Sequence, residues 1–549
     1  MKIPFHLFTL AWILAGGMMS AQTISVSPSL LNFGTVTETA PDSQQVTITN
    51  NSGYTVTVEG YRFYSFFGHT PFSTSSGNIS IPDGGSAGLW IKFSPRHNIF
   101  HNSELFILTD SRRGALRVNL LAQGHYSNAY YDPTENTEEE VLKDSLHTLL
   151  ERNYYNAGYV TARDSMFMSY DNKKLNGQGA AVNTIECVYT GRNAAGYSDR
   201  TDCQTNFSFN TEHTFPQGFF NQQEPMRADL FHLFPTDDNA NNIRGSLPFG
   251  TVSNPTWQQG GSKTNGTTFE PRDFHKGRTA RAMLYFVTRY QNYNNFLDSQ
   301  EGILRQWHVQ FPPDSIEILR CQAISLLQNN RNPLVDYPQF TERISSFSNT
   351  SAGIQAASTD TPEDTIQFGL VNAANPVSYT FWVANDGNQP LTLSGLSLNP
   401  SALLSFLNGT GNNVSIPPGE ASAIEIELAN PAPGTLLSGS LNFIAQGTGL
   451  LANVSIPIRA QMSFTGSAEI TNAKGYTLYP NPATDLLCLS GEEPLPADLM
   501  ITDLSGRVLR RLSGAGKRCV DLDEREAPGF YFLQWNAGGK IFRKAWIKQ

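Results

Sequence analysis

The sequence has no Cys-x-x-Cys pair and no cysteine–histidine cluster, which excludes a zinc site of the usual spacing. It has no His-Glu-x-x-His run, so the common zinc-protease signature is missing too. Only 16% of residues are charged and the formal net charge is −10, so the molecule does not bind polyanions through overall basicity. Any such site has to be local. Beyond the first residues no apolar run approaches the roughly 18–20 residues that span a bilayer, and no transmembrane segment is expected.

What is present suits an exported, strand-rich protein. Aromatics make up 11%, with 45 glycines and 31 prolines, a mix of short strands and many turns. The opening "MKIPFHLFTLAWILAGGMMSAQ" has a basic start, a short apolar run over 5–14 and small residues after it. It reads as a secretory signal peptide cut after Ala21, with Met19 large for its position before the cut. Export permits disulfides among the five cysteines. Cys187 with Cys203 and Cys488 with Cys519 are the expected pairs, and Cys321, on a helical pattern, is expected as a buried thiol.

A chain of 549 residues implies three or four domains. Residues 22–125 alternate apolar and polar positions between turn signals ("QQVTITN", "GLWIKFS", "LRVNLLAQG"), as a β-sandwich requires. Residues 351–462 repeat the plan. "LNFGTV" is answered by "IQFGLV", "TNNSG" by "ANDGN" and "IPDGG" by "IPPGE", with Phe33 and Ile81 spaced as Phe368 and Ile416 are. Three landmarks in register argue for two copies of one fold, resembling the immunoglobulin-like domains of bacterial surface proteins and the major-sperm-protein-like group. Between them, 126–348 carries helical patterns such as "TEEEVLKDSLHTLLERNY", hence an inserted α+β domain. A linker, 463–477, leads to a small strand-rich unit, 478–549.

The chemistry concentrates in the middle. Glu212 and His213 stand side by side in "NTEHTFPQGFF", with Pro216 three residues on. Neighbours on a strand face opposite sides. Downstream, Asn241 and Arg244 lie three apart after a polar helix start, so they share a helix face. One carboxylate (Glu212) and one amide oxygen (Asn241) suit a hard cation such as Mg2+ and leave places for phosphate oxygens. A neutral imidazole, His213, can take a proton from an attacking water, and Arg244 can offset charge on the reacting phosphate. Acid pairs at Glu139 and Glu140, and at Asp237 and Asp238, read as helix starts. Asp229 is open between holding the loop and holding a histidine.

These residues resemble the bacterial endonuclease I family of ββα-metal (His-Me finger) nucleases. The resemblance extends through "SLHTLLERN", "VYTGR", "DLFHLFPTDDNANNIRGSLPFG", "FEPRDFHKGRTARAMLYFVTRY" and "NNRNPLVDYP", in the family's order. It implies His213 as general base, Glu212 and Asn241 as ligands of one divalent cation (Mg2+, with Ca2+ or Mn2+ as alternatives), and Arg244 at the family's arginine position. Many relatives have a histidine at the slot held here by Phe231, so His232 is expected to be structural. Arg278 and Arg281, i,i+3 neighbours on a helix, and Lys276 are the candidate DNA contacts, against the alternative of a solvated face with internal ion pairs. The C-terminal unit ("YPNP", "DLSGRVL", "PGFYFL" and Lys544) resembles the type A sorting domain of the type IX secretion system. That implies passage to the outside through this machinery.

The expected architecture is multidomain: an α+β ββα-metal nuclease flanked by two all-β immunoglobulin-like sandwiches, then a small β-sandwich sorting domain. The expected activity is a secreted, Mg2+-dependent, largely sequence-non-specific, monomeric endonuclease acting on extracellular DNA, with RNA as a second candidate substrate. The alternative is a surface adhesion protein that uses the nuclease fold for binding alone. DNA versus RNA preference, cleavage polarity, the ligand of the sandwiches, and release versus surface anchoring stay open.

Overall fold

The alternation over 24–125 folds into two sheets around one core. The first orders Ile24–Ser27, Asp42–Asn50, Ser86–Phe93 and Phe72–Ser73, and the second Leu30–Thr37, Leu116–His125, Phe100–Thr109, Val56–Ser65 and Ile79–Ile81. Strand Ser86–Phe93 shows the cause: Leu89, Ile91 and Phe93 are buried in the shared core while Trp90 and Lys92 between them face out. The structure, a computed structural model, describes residues 24–65, 70–75, 77–111, 113–291, 294–353, 355–372, 376–408, 413–429, 436–463, 471–472, 477–490, 498–503, 507–513, 519–522, 528–537 and 540–548. The signal-peptide reading of 1–21 and most of the linker lie outside the described residues.

The internal repeat extends from sequence to topology. The later five-stranded sheet orders Ile366–Asn372, Leu450–Ser463, Leu436–Gly447, Leu391–Asn399 and Val414–Ile416, matching its earlier counterpart strand for strand, and the leading strand pairs in parallel in both. Gly34 and Gly369, at φ +65° and +66°, sit at equivalent irregularities of that pairing, in a conformation glycine adopts without steric penalty. Asn50 and Asn385, both fully buried, use their amides identically. Asn50 Nδ2 donates to the oxygens of Tyr54 and Ile81, and Asn385 Nδ2 to those of Gln389 and Ile416. Each asparagine ties two loops at one end of its sandwich.

The first sandwich contacts both later regions. Arg96 pairs with Glu342 at 2.8 Å, and Arg343 Nη1 donates to Asn98 Oδ1. On the other side the Trp382 indole donates to the Ala115 oxygen and lies beneath the Arg117 guanidinium.

The middle region has its own large core, centred on helix Asp273–Arg289, which is buried along most of its length. Against this core lie an antiparallel pair, Phe209–His213 with Leu233–Asp237, and the helix Asp238–Arg244 that follows the second strand without a break. Asp237 caps that helix, accepting from Ala240 N–H at 2.8 Å.

The cysteines divide differently from expectation. Cys488 and Cys519 are cross-strand partners joined by a disulfide. Cys187 and Cys203 are free and buried, as is Cys321. Cys187 sulfur accepts from the N–H groups of Thr190 and Asp237, which fixes it beneath a turn, while Cys203 faces the core from helix Arg200–Phe207. Nearness in sequence did not bring the two sulfurs together. Among the described residues no helix is long and apolar enough to cross a membrane.

Candidate active site

Strand Phe209–His213 pairs Glu212 with Phe234 and His213 with Leu233. The alternation of a strand sends the two neighbours to different surroundings. Glu212 meets Tyr189 and Arg244, whereas His213 meets the rings of Tyr159, Phe220 and His232. The strand ends at His213, and Pro216 opens the short Gln217–Phe220 turn.

Glu212 is 2% exposed. Tyr189 Oη donates to its Oε1 at 2.7 Å and Arg244 Nη1 lies 3.2 Å from the same atom. Oε2 makes no hydrogen bond among the described residues. Burial raises the Glu212 pKa, opposed by the charge of Arg244 and the Tyr189 hydrogen bond. One oxygen of the carboxylate is thus anchored from two sides. The Asn241 side chain, one turn before Arg244, is half-buried and makes no hydrogen bond with the protein either.

His213 Nε2 lies 3.2 Å from the Arg227 carbonyl oxygen. A carbonyl only accepts, so Nε2 carries the proton and Nδ1 presents its lone pair. Burial, then the neighbouring His232 ring, holds the His213 pKa well below the ordinary histidine value, so the imidazole is neutral. The loop that supplies the Arg227 carbonyl is pinned by Asp229. Its Oδ2 accepts from Arg289, Tyr285 and Tyr290, and its Oδ1 from Gln328 Nε2 and Phe231 N–H. Burial alone would raise the Asp229 pKa, but Arg289 and these bonds hold it below the usual range. Asp229 therefore secures the loop. His232 is fully buried and its Nε2 bonds the Met226 oxygen.

Arg244 does not face outward as the sequence suggested. It is 1% exposed, and besides Glu212 it donates to the oxygens of His213, Thr214 and Gly245. It fastens the helix to the end of the strand, so its action on a phosphate is at most indirect. The expected DNA contacts are also spent internally. Arg278 donates to both oxygens of Asp314, Arg281 makes a two-pronged pair with Glu317 and bonds Phe311 O, and Lys276 pairs with Glu270 and Asp273. Their helix is buried nearly all round, and the acids at the start of helix Ser315–Gln328 neutralise Arg278 and Arg281.

Tyr189, Tyr159 and the Arg227 carbonyl were not singled out in the sequence. Tyr189 lies within the quoted "VYTGR", but nothing local to that run marks the tyrosine as a partner of Glu212. A main-chain acceptor leaves no residue signature at all.

Glu212 Oε2 and the Asn241 amide oxygen are both of the ligand type that Mg2+, Ca2+ and Mn2+ take. Among the described residues no group of three or more His, Cys, Asp or Glu gathers as a metal site, and a carboxylate–amide pair lies outside that pattern.

Residues 138–339 match the family model described as Endonuclease I, and 477–549 the secretion system C-terminal sorting domain. The extracellular ribonuclease of Bacillus subtilis (strain 168) is 24% identical over 241 residues, covering 40% of this chain and 78% of its own. That of Bacillus amyloliquefaciens is 25% identical over 236 residues, with the same coverage. Among solved structures, the ASH/PapD-like domain of human CEP192 aligns with 22% of this chain and 99% of its own at 12% identity and a TM-score of 0.18, too low to inform on either sandwich.

Proposed function

We propose that the chain is an exported, divalent-metal-dependent, largely sequence-non-specific endonuclease acting on extracellular DNA and RNA, a reading supported by its matches to Endonuclease I over 138–339 and to the secretion system sorting domain over 477–549. The single observation that carries the reading is the tautomer of His213: a buried neutral imidazole with Nε2–H on a carbonyl and Nδ1 unbonded, on the same strand as Glu212. We read the strand–strand–helix unit as a ββα-metal (His-Me finger) core, and 22–125 and 351–462 as immunoglobulin-like sandwiches that carry no chemistry.

Glu212 and Asn241 would hold Mg2+, which when bound offsets charge on the phosphate as it becomes five-coordinate. His213 Nδ1 accepts a proton from the attacking water while the Arg227 carbonyl keeps the ring oriented. Tyr189 and Arg244 hold Glu212 Oε1, so the carboxylate is fixed before any ligand arrives. The names of the Bacillus relatives support RNA as a substrate beside DNA.

The full chain, incubated with supercoiled plasmid and with structured RNA, should nick both in Mg2+ and neither in EDTA. Failure to cut either polymer under Mg2+, Mn2+ or Ca2+ would refute the reading and favour a binding role for the fold.

A further inference from the structure

With Arg278, Arg281, Lys276 and Arg244 all committed to internal partners, the cations that meet substrate must lie elsewhere. Two arginines beside the His213 base have no such commitment. The guanidinium carbons of Arg163 and Arg227 each lie 4.2 Å from the centroid of the Tyr159 ring, and that ring lies 5.5 Å from the ring of His213. Among the described residues neither side chain has an acceptor, and the Nε of each is buried without a partner. Both residues are half-buried, so packing holds them in place. The carboxylates nearby are already engaged: Asp164 takes Arg200 at 2.6 Å, and Glu224 accepts the Tyr159 N–H at 3.0 Å.

Two like charges held on one aromatic ring, neither of them in an ion pair among the described residues, are unfavourable in the free protein. Burial, with Arg200 and Arg227 close by, outweighs the opposing effect of Tyr159 and Asp164 and holds the Arg163 pKa below the usual arginine value. The arrangement is stabilised when an anion arrives. A guanidinium presents a planar fork that matches phosphate oxygens, and the aromatic face orients it beforehand. Arg227 also couples the two roles, since its main-chain oxygen sets the His213 tautomer while its side chain stacks on Tyr159, the ring beside that imidazole.

We propose that Arg163 and Arg227, stacked on Tyr159, form a clamp for a backbone phosphate of the nucleic-acid substrate, adjoining the bond that His213 serves. This rests on the nuclease reading of the site. The clamp grips phosphate and leaves bases unread, which accounts for weak sequence preference.

The test is binding of a fluorescein-labelled oligonucleotide to the full chain in EDTA, followed by anisotropy over a salt series. Arg163→Met and Arg227→Met keep the stem that packs on Tyr159. Each should weaken binding and reduce the slope of log K against log salt by roughly 0.7–0.9, and the double variant by about twice that. Affinity and slope unchanged in a double variant that melts like wild type would overturn the clamp, as would no binding by wild type. Where a variant melts early, wild-type protein modified by phenylglyoxal and mapped by mass spectrometry decides. Oligonucleotide should shield Arg163 and Arg227, and no shielding contradicts the proposal. Because binding is read without cleavage, the two readings fail separately. A chain that binds through the clamp but never cuts loses the nuclease reading alone, and one that cuts with wild-type KM in the double variant loses the clamp alone.

Discussion

His213 Nε2 and the main-chain oxygen of Arg227 lie 3.2 Å apart, and this contact decides which nitrogen of the base is free. Since burial and the neighbouring His232 hold the His213 pKa well below the ordinary value, the base stays neutral into the acid range. The acid limb of the kcat/KM profile should therefore fall below pH ~6.5, the ordinary histidine value. A limb at or above 6.5 would mean that the ring is not buried as described.

Tyr189 holds one oxygen of Glu212 from behind. Tyr189→Phe removes that donor without altering the ring. Affinity for Mg2+ should fall roughly 10–100-fold, with much of the rate recovered at saturating metal. Isothermal titration of Mg2+ beside a metal-dependent rate curve checks this, and an unchanged metal affinity would remove Tyr189 from the site.

Arg281 is 1% exposed and Glu317 8%, and their two-pronged pair joins two helices. Arg281→Met leaves the buried Glu317 carboxylate with only the longer 4.0 Å contact to Arg278 and should cost about 3 kcal/mol in urea unfolding. The salt slope of oligonucleotide binding should not change at temperatures where the variant is folded. A reduced slope with full stability would restore Arg281 as a DNA contact.

Acid should destabilise the fold through histidines buried as neutral rings. Burial lowers His101 and His308 to about 4 from an ordinary 6.5. The unfolded chain then binds more protons below pH ~6.5, so stability is fully present above that value and is lost as pH falls toward 4. Each ring should cost about 2 kcal/mol by pH 5. Urea unfolding at pH 7 and pH 5 measures the loss, and His308→Asn should flatten the pH dependence by one histidine's share. An unchanged slope would contradict it.

The sequence carried the parts of this molecule that depend on local pattern. Strand alternation, the three landmarks of the repeat and the i,i+3 relation of Asn241 and Arg244 are short-range, and the strands and the helix appear where those patterns lie. What it did not carry depends on partners remote in the chain. Arg278 and Arg281 looked available because their acids, Asp314 and Glu317, come a whole helix later. Arg244 shares the expected face with Asn241, but that face turns inward onto the carbonyls of His213 and Thr214. Cys187 and Cys203 are near in sequence, yet the Cys187 sulfur is engaged by main-chain N–H groups.

Single-turnover cleavage of a plasmid by His213→Ala in Mg2+ tests the central claim most directly. The variant should lose about 10²–10⁴-fold in rate while binding oligonucleotide with wild-type affinity and salt slope. Cutting at the wild-type rate would contradict the account, because no other unbonded base lies on the strand that carries Glu212.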